Sequence, residues 1–311
     1  MGYSLNTTAS YHINDLNSLG WELTVGNALY PENSPCRRVL QIKASLGVNL
    51  YQFLEKLIPF NEIHDILEIG GGLGYLMHDF LELNPRLRAT SLDISPYLLN
   101  KQKEILQKYN VSFLQGDALK KDTDFFSRFD LIVMNENLGD LPALIPNDGQ
   151  ESAYSEELIF YQNKAAYFTR QYNINFAARE IINIGALILL ENICRAGIKH
   201  VYLSEHSCEI KAPANLKGYI NIESTGLPEK ISLKGHDEYT IKFSNMETIA
   251  HMFNYKIRRG PIADFLPLEF NNLLITALRL KTPFSSEQEI IQQFVYDLYK
   301  YEYMVIFKNG K

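Results

Sequence analysis

The stretch Ile66-Leu67-Glu68-Ile69-Gly70-Gly71-Gly72-Leu73-Gly74-Tyr75 sets four glycines in five residues, between an apolar run and a helix-like pattern. A turn of this kind, joining a first strand to a first helix, clears side chains from the backbone. A ligand can then approach the main chain and meet the free N–H groups of the helix. The glycine spacing separates the ligands that use such turns. A dinucleotide fingerprint needs G-x-G-x-x-G, but from Gly70 and Gly72 the third position is Tyr75, and from Gly72 and Gly74 it is Met77. A phosphate-binding P-loop is excluded because no Gly-Lys-Ser/Thr follows. What remains is an acid at the strand end, Glu68, followed by alternate glycines at Gly70, Gly72 and Gly74.

Outward from the turn, short apolar segments alternate with helical ones. Strands are expected over Ile63–Ile69, Ala89–Asp93, Val111–Leu114 and Phe129–Met134, with helices over Tyr75–Leu83 and Pro96–Tyr109. The continuous apolar run of the fourth strand implies burial on both faces. This alternation predicts an α/β fold with a doubly wound, mostly parallel sheet. Asp93 closes the second strand, where a carboxylate can accept both hydroxyls of a ribose. Asp117 follows the third strand in Gly116-Asp117-Ala118.

The rest of the chain surrounds this core. A first helix is expected from Arg37 to Leu57, and a fifth strand over Lys199–Leu203. Before that strand lies a proline-free helical stretch from Ser155 to about Arg195. Phe160, Tyr167, Ile174 and Ile181 recur in it at intervals of seven, beside Tyr161 and Phe168. The stripe packs on the core in the simpler reading, and shapes an acceptor pocket as part of a helical cap in the other. Tyr219–Phe243 alternates as strands around a hairpin at Leu227-Pro228-Glu229-Lys230. A serine-capped helix over Ser244–Phe253, a strand over Tyr255–Arg259, two helices and a last strand over Glu302–Gly310 complete the chain. The expected organisation is an irregular N-terminal arm over 1–36, containing Trp21, and one domain over 37–311. That domain carries a helical cap insertion at about 143–196 and a hairpin insertion at about 212–243.

Composition narrows the function classes. A formal net charge of -6 over 311 residues disfavours a phosphate-tracking surface, so nucleic acid is not an expected partner. The apolar run Ile181–Ile193 is interrupted by Asn183 and Glu191 and is shorter than the roughly 20 residues a membrane span needs. No basic-then-apolar leader opens the sequence, and Cys36, Cys194 and Cys208 are odd in number and far apart. These features suggest free thiols and a cytoplasmic protein. The cysteines also lack the spacing of an iron–sulfur or structural zinc site, and no metal is expected.

Over about residues 60–142 the acid, the alternate glycines and the strand-end acids resemble the class I S-adenosylmethionine-dependent methyltransferases. The resemblance implies S-adenosylmethionine as cofactor, with Glu68 at its cationic end and Gly70, Gly72 and Gly74 leaving room for the methionine and ribose. It further implies Asp93 on the ribose hydroxyls, Asp117 and Ala118 at the adenine, and Asn135 beside the transferred methyl. The loop Asn135-Glu136-Asn137-Leu138-Gly139-Asp140-Leu141-Pro142 is similar to the Asn-Glu-x-x-Asp-Ala-Leu-Pro loop of MidA-like methyltransferases. Gly139 stands at that family's Asp position, and Asp140 is displaced by one.

Methyl transfer by in-line displacement asks for alignment and, with O- or N-acceptors, for uptake of a proton. Glu136 is a candidate for that proton. So is His206, in Ser204-Glu205-His206 after the fifth strand, although the same residues also suit a surface turn. Asp140, His236 and Tyr239 are candidates to face the acceptor, a protein side chain or a small molecule. Arg258-Arg259 reads as acceptor-binding or as ordinary surface charge. A second class of function, a methyltransferase-fold binding or assembly factor, is compatible with the same sequence.

Overall fold

In the computed structural model the described residues are 2–17, 24–147, 155–214, 216–220, 222–279 and 285–308, so Trp21 and Gly310 lie outside them. The chain begins with β1 (Gly2–Asn6), α1 (Val25–Leu29), α2 (Pro35–Arg38) and α3 (Leu46–Leu54). The glycine turn then joins β2 (Asp65–Ile69) to α4 (Tyr75–Leu83). The alternation continues through β3 (Arg88–Asp93), α5 (Pro96–Leu106), β4 (Val111–Gln115), α6 (Thr123–Phe126) and β5 (Leu131–Asn135). After β6 (Ala143–Asn147) come α7 (Glu156–Tyr172), α8 (Ile184–Ala196) and β7 (His200–His206). A small hairpin, β8 (Lys230–Ser232) with β9 (Asp237–Tyr239), precedes α9 (Phe243–Met252) and β10 (Tyr255–Pro261). The chain closes with α10 (Asn272–Arg279), α11 (Ser286–Lys300) and β11 (Tyr301–Lys308).

Seven strands form the central sheet in the order β10-β11-β7-β5-β2-β3-β4. The pairs β2–β3, β2–β5, β3–β4 and β5–β7 are parallel, whereas β11 runs antiparallel to both β7 and β10. β5 is buried on both faces from Leu131 to Met134, as its unbroken apolar run requires. One face packs against α3, α4 and α11 through Leu50, Phe80 and Phe294; the other packs against α7, α8 and α9 through Phe168, Leu190 and Met246. The strand order reverses at β2, which lies between β3 and β5. This reversal opens a crevice beyond the carboxyl ends of the strands, where open α/β sheets bind ligands.

Several expected elements are corrected. The helix expected over Arg37–Leu57 is two helices, because Leu40 makes an antiparallel bridge to Leu268 and Gln41 N–H donates to the Pro267 carbonyl at 2.9 Å. The helical stretch from Ser155 to about Arg195 is also divided. α7 stops at Asn173, which takes the left-handed conformation, and α8 starts anew after Asn183. Within α7 the buried stripe is Leu158, Tyr161, Ala165, Phe168 and Tyr172, spaced three and four as a straight helix demands. Phe160, on the expected sevenfold repeat, is half exposed. α8 is buried along nearly all its length and forms the crossover between β5 and β7, so the last part of region 143–196 belongs to the main body.

The hairpin turns at Leu233–His236 and not at Leu227–Lys230. Leu233 N–H donates to the His236 carbonyl at 3.0 Å, and Gly235 supplies the φ of 100° that the turn needs. α9 begins without a serine cap; the Ser244 N–H is taken by the Glu209 carboxylate at 2.8 Å. Gly2–Asn6 of the arm, expected to be irregular, form a strand that pairs along its whole length with β6.

Candidate active site

The backbone of the turn itself requires glycine. Gly70, Gly72 and Gly74 have φ of 66°, 53° and 86°, the left-handed region that favours glycine. Gly71, outside the alternating pattern, is needed for another reason: a Cβ there would strike the Glu68 carboxylate. Glu68 is 2% exposed, yet it lines the crevice, and its Oε2 has no hydrogen-bond partner. Burial, reinforced by the neighbouring Asp93 carboxylate, pushes its carboxyl up to about 8. A buried acid with an open oxygen on a cavity wall is suited to a cationic ligand group.

Asp93 ends β3 beside it. Its Oδ1 accepts from Ser95 N–H at 2.9 Å and its Oδ2 from Gln102 Nε2 at 2.8 Å. Burial pushes this carboxyl up to about 6, against the pull of those two donors. Gln102 also donates to the Gly72 carbonyl at 3.0 Å, tying the acid to the glycine turn. The sequence reading missed Gln102. Its one signal was an amide on the apolar face of α5, among Leu98, Leu99 and Leu106. Asp117 caps the short 3-10 turn Ala118–Lys120 through Leu119 N–H at 2.9 Å, and Asp117 and Ala118 both line the crevice.

At the other end, Asn135 closes β5 and bridges Ser204 Oγ, at 2.8 Å, to Glu136 Oε1, at 2.9 Å. Glu136 adopts φ of 56°, and its carboxylate accepts from Val25 N–H at 3.1 Å and Gly26 N–H at 3.4 Å. It therefore holds the first turn of α1 onto the site. Burial raises its carboxyl above the ordinary range despite those donors. His206, at the end of β7, lies against the Tyr301 ring with centroids 3.8 Å apart. Its Nε2 is 3.9 Å from Asp297 and its Nδ1 is 3.7 Å from Glu205. Burial opposes charging of this imidazole, but the surrounding carboxylates prevail and its pKa is raised.

Asp140 and His236 come together with His12, which the sequence reading did not single out. Asp140 Oδ1 lies 2.9 Å from His12 Nε2 and 3.3 Å from His236 Nε2. Tyr239 does not reach the crevice: it is 3% exposed on the opposite side of β9, and Glu238 faces inward in its place. Strand alternation accounts for this, since His236 and Glu238 share one face. The departure at Gly139 also has a structural cause. A Cβ there would lie 3.2 Å from the Tyr239 carbonyl and 3.6 Å from the Glu205 carboxyl carbon, so an aspartate would bring charge against a buried acid. Gly139 N–H instead donates to Glu205 at 3.0 Å.

Glu68, Asp93, Asp117, Glu136, Asp140, His206 and His236 line one cavity of about 840 Å³. Its walls include Thr8, Tyr11 and His12 from the arm, Phe160 and Tyr161 from α7, and Ile231 and Lys234 from the hairpin. The volume lies in the upper part of the usual range for ligand pockets. No helix among the described residues is long and apolar enough to cross a membrane. The three cysteines are free and buried.

Residues 67–148 match the family described as Methyltransferase domain. A malonyl-[acyl-carrier protein] O-methyltransferase of Anoxybacillus flavithermus (strain DSM 21510 / WK1) is 33% identical over 70 residues, which cover 22% of this chain and 26% of that protein. The match thus spans about a quarter of the relative's length. Among solved structures, the glycopeptide N-methyltransferase MtfA with S-adenosylmethionine has a TM-score of 0.45 at 12% identity, covering 85% of this chain and 94% of that one. The CcbJ methyltransferase from Streptomyces caelestis has 0.45 at 10% identity, covering 98% and 97%. In the order and directions of its strands and in the matched domain, the chain is similar to the class I S-adenosylmethionine-dependent methyltransferases. The residues present fit the cofactor of that class, because the unpartnered Glu68 oxygen meets its need for an anionic contact at the cationic end.

Proposed function

We propose that the protein transfers a methyl group from S-adenosylmethionine to a small-molecule acceptor or an inserted protein side chain. The observation that carries this reading is the pairing of two buried acids, Glu68 and Asp93, with a bare glycine turn on one cavity wall. When bound, the cofactor supplies an electrophilic methyl on a sulfonium, open to in-line displacement by an aligned nucleophile. Glu68 faces its cationic end and Asp93 its ribose hydroxyls, while Asp117 and Ala118 border the adenine. Asn135 orients Glu136, and Glu136 holds α1 and the arm over the cavity so that bulk water is kept out. His206 takes up the acceptor's proton. Its raised pKa means that its neutral, proton-accepting form needs a higher pH than an ordinary imidazole's. Asp140 and His236 border the acceptor.

Calorimetric titration with S-adenosylmethionine and with S-adenosylhomocysteine tests the reading, after removal of any co-purified cofactor. Micromolar binding of both is expected. Failure of both to bind overturns it.

A further inference from the structure

The arm, the loop after β5 and the hairpin each send one side chain to a common point on the cavity wall. One ligand atom each from His12, Asp140 and His236 all lie within 4.8 Å of one another. His12 Nε2 and His236 Nε2 stand 2.9 and 3.3 Å from the same Asp140 oxygen. A tetrahedral ion about 2.0–2.1 Å from each donor holds its donors about 3.3–3.4 Å apart, a spacing that the 2.9 and 3.3 Å separations from Asp140 and the 4.8 Å bound on the whole set bracket. The geometry points to a binding site for a divalent first-row transition metal, with His12, Asp140 and His236 as ligands and its remaining positions open to the cavity.

The surroundings hold the three donors in place. Tyr11 stacks on the His236 ring at 4.4 Å and 22°. Gly235 makes that packing possible, since a Cβ there would lie 2.5 Å from the Tyr11 ring. Thr8 Oγ donates to the Asp140 carbonyl at 2.7 Å, and Asn6 Nδ2 donates to the Asp237 carbonyl at 3.2 Å, so arm, loop and hairpin are fixed to one another. Glu238 Oε1 is 3.1 Å from His236 Nε2 and stands next to the open positions, where it can accept from a metal-bound water.

Two imidazoles with one carboxylate suit zinc, manganese, iron, cobalt or nickel better than magnesium or calcium, which take oxygen donors. Three protein ligands with an open position is the arrangement of a catalytic and not a structural site. The expectation of no metal rested on cysteine spacing, and the ligands come instead from segments remote in sequence. The metal's role rests on the proposed function: it would hold the acceptor's oxygen or nitrogen beside the cofactor cradle.

The probe is Co(II), added to tag-free protein and followed by its visible d–d absorption, with Zn(II) as competitor. One Co(II) per chain, displaced by Zn(II), is expected. Separate H12A and D140N variants should weaken binding at least about tenfold, while H64A, at an exposed histidine outside the cavity, should bind as wild type does. Far-UV circular dichroism and thermal melting establish that each variant is folded. H12A alters the arm alone, so it keeps the test open if D140N does not fold. Absence of Co(II) and Zn(II) binding by wild type overturns the site and leaves the triad a hydrogen-bonded clasp, as does unchanged binding in folded H12A. Titration with S-adenosylhomocysteine on the same samples separates the two readings, because cofactor binding without metal overturns this inference alone, and metal binding without cofactor overturns only the methyltransferase reading.

Discussion

Gln102 holds Asp93 in place: its Nε2 is 2.8 Å from the Asp93 carboxylate and 3.0 Å from the Gly72 carbonyl, and its side chain is fully buried. One amide thus joins the acid proposed to face the ribose to the glycine turn proposed to receive the rest of the cofactor. Gln102→Ala removes a donor from a buried carboxylate, a loss of about 1–3 kcal/mol. Calorimetry should show S-adenosylhomocysteine bound about tenfold more weakly, which corresponds to about 1.4 kcal/mol. Unchanged affinity in a folded variant would remove Gln102 from the cofactor site.

Gly185, near the start of α8, lies against the loop after β5. A Cβ there would lie 2.7 Å from Pro142 Cδ, 2.8 Å from Pro142 N and 2.9 Å from Leu141 Cβ. Helix propensity favours alanine over glycine by up to about 1 kcal/mol. Overpacking against a proline ring that cannot rotate away costs about 1–3 kcal/mol, and prevails. Gly185→Ala should therefore lower the urea midpoint with an unchanged slope. A higher midpoint would show that the loop yields readily.

The parts legible in sequence are those encoded within a short stretch. Strand-end acids and glycine spacing place Glu68, Gly70, Asp93 and Asp117 at one sheet edge because the alternation of strands and helices fixes which ends are carboxyl ends. Tyr239 was misplaced because a one-residue change of strand phase turns a side chain to the other face. The break at Asn173 was hidden because its left-handed turn sits inside a run that reads as helix. His12 is 128 residues from Asp140, and no local pattern carries a contact that only the β1–β6 pairing creates.

Glu136 was expected as a base, yet its carboxylate is engaged by the Val25 and Gly26 N–H groups. Removing such a cap costs about 0.5–2 kcal/mol. Glu136→Asn keeps a residue that tolerates the left-handed backbone at this position, so it loses the long carboxylate without adding strain. Amide exchange at Val25–Leu29 should quicken by about tenfold, while S-adenosylhomocysteine affinity stays within about threefold, since 1.4 kcal/mol corresponds to a factor of ten. If exchange in α1 does not change, Glu136 does not hold the arm.

Glu68 connects cofactor binding to pH. Its folded-state pKa, about 8, lies above the ordinary 4.5, so the folded chain keeps a proton that the unfolded chain gives up. Stability of the free protein from this group accordingly falls as pH rises between those two values, and Asp93 acts in the same sense from 3.8 to about 6. A cation at the open Glu68 oxygen favours the ionised carboxylate and reverses the preference. S-adenosylmethionine should therefore bind more tightly as pH rises towards about 8, releasing up to one proton, a quantity read by calorimetry in buffers of different ionisation enthalpy. Glu68→Gln should weaken binding, flatten that pH dependence, and raise the melting temperature of the free protein near pH 8, where the buried charge is lost. Proton release as large in this variant as in wild type would mean that another group meets the cationic end.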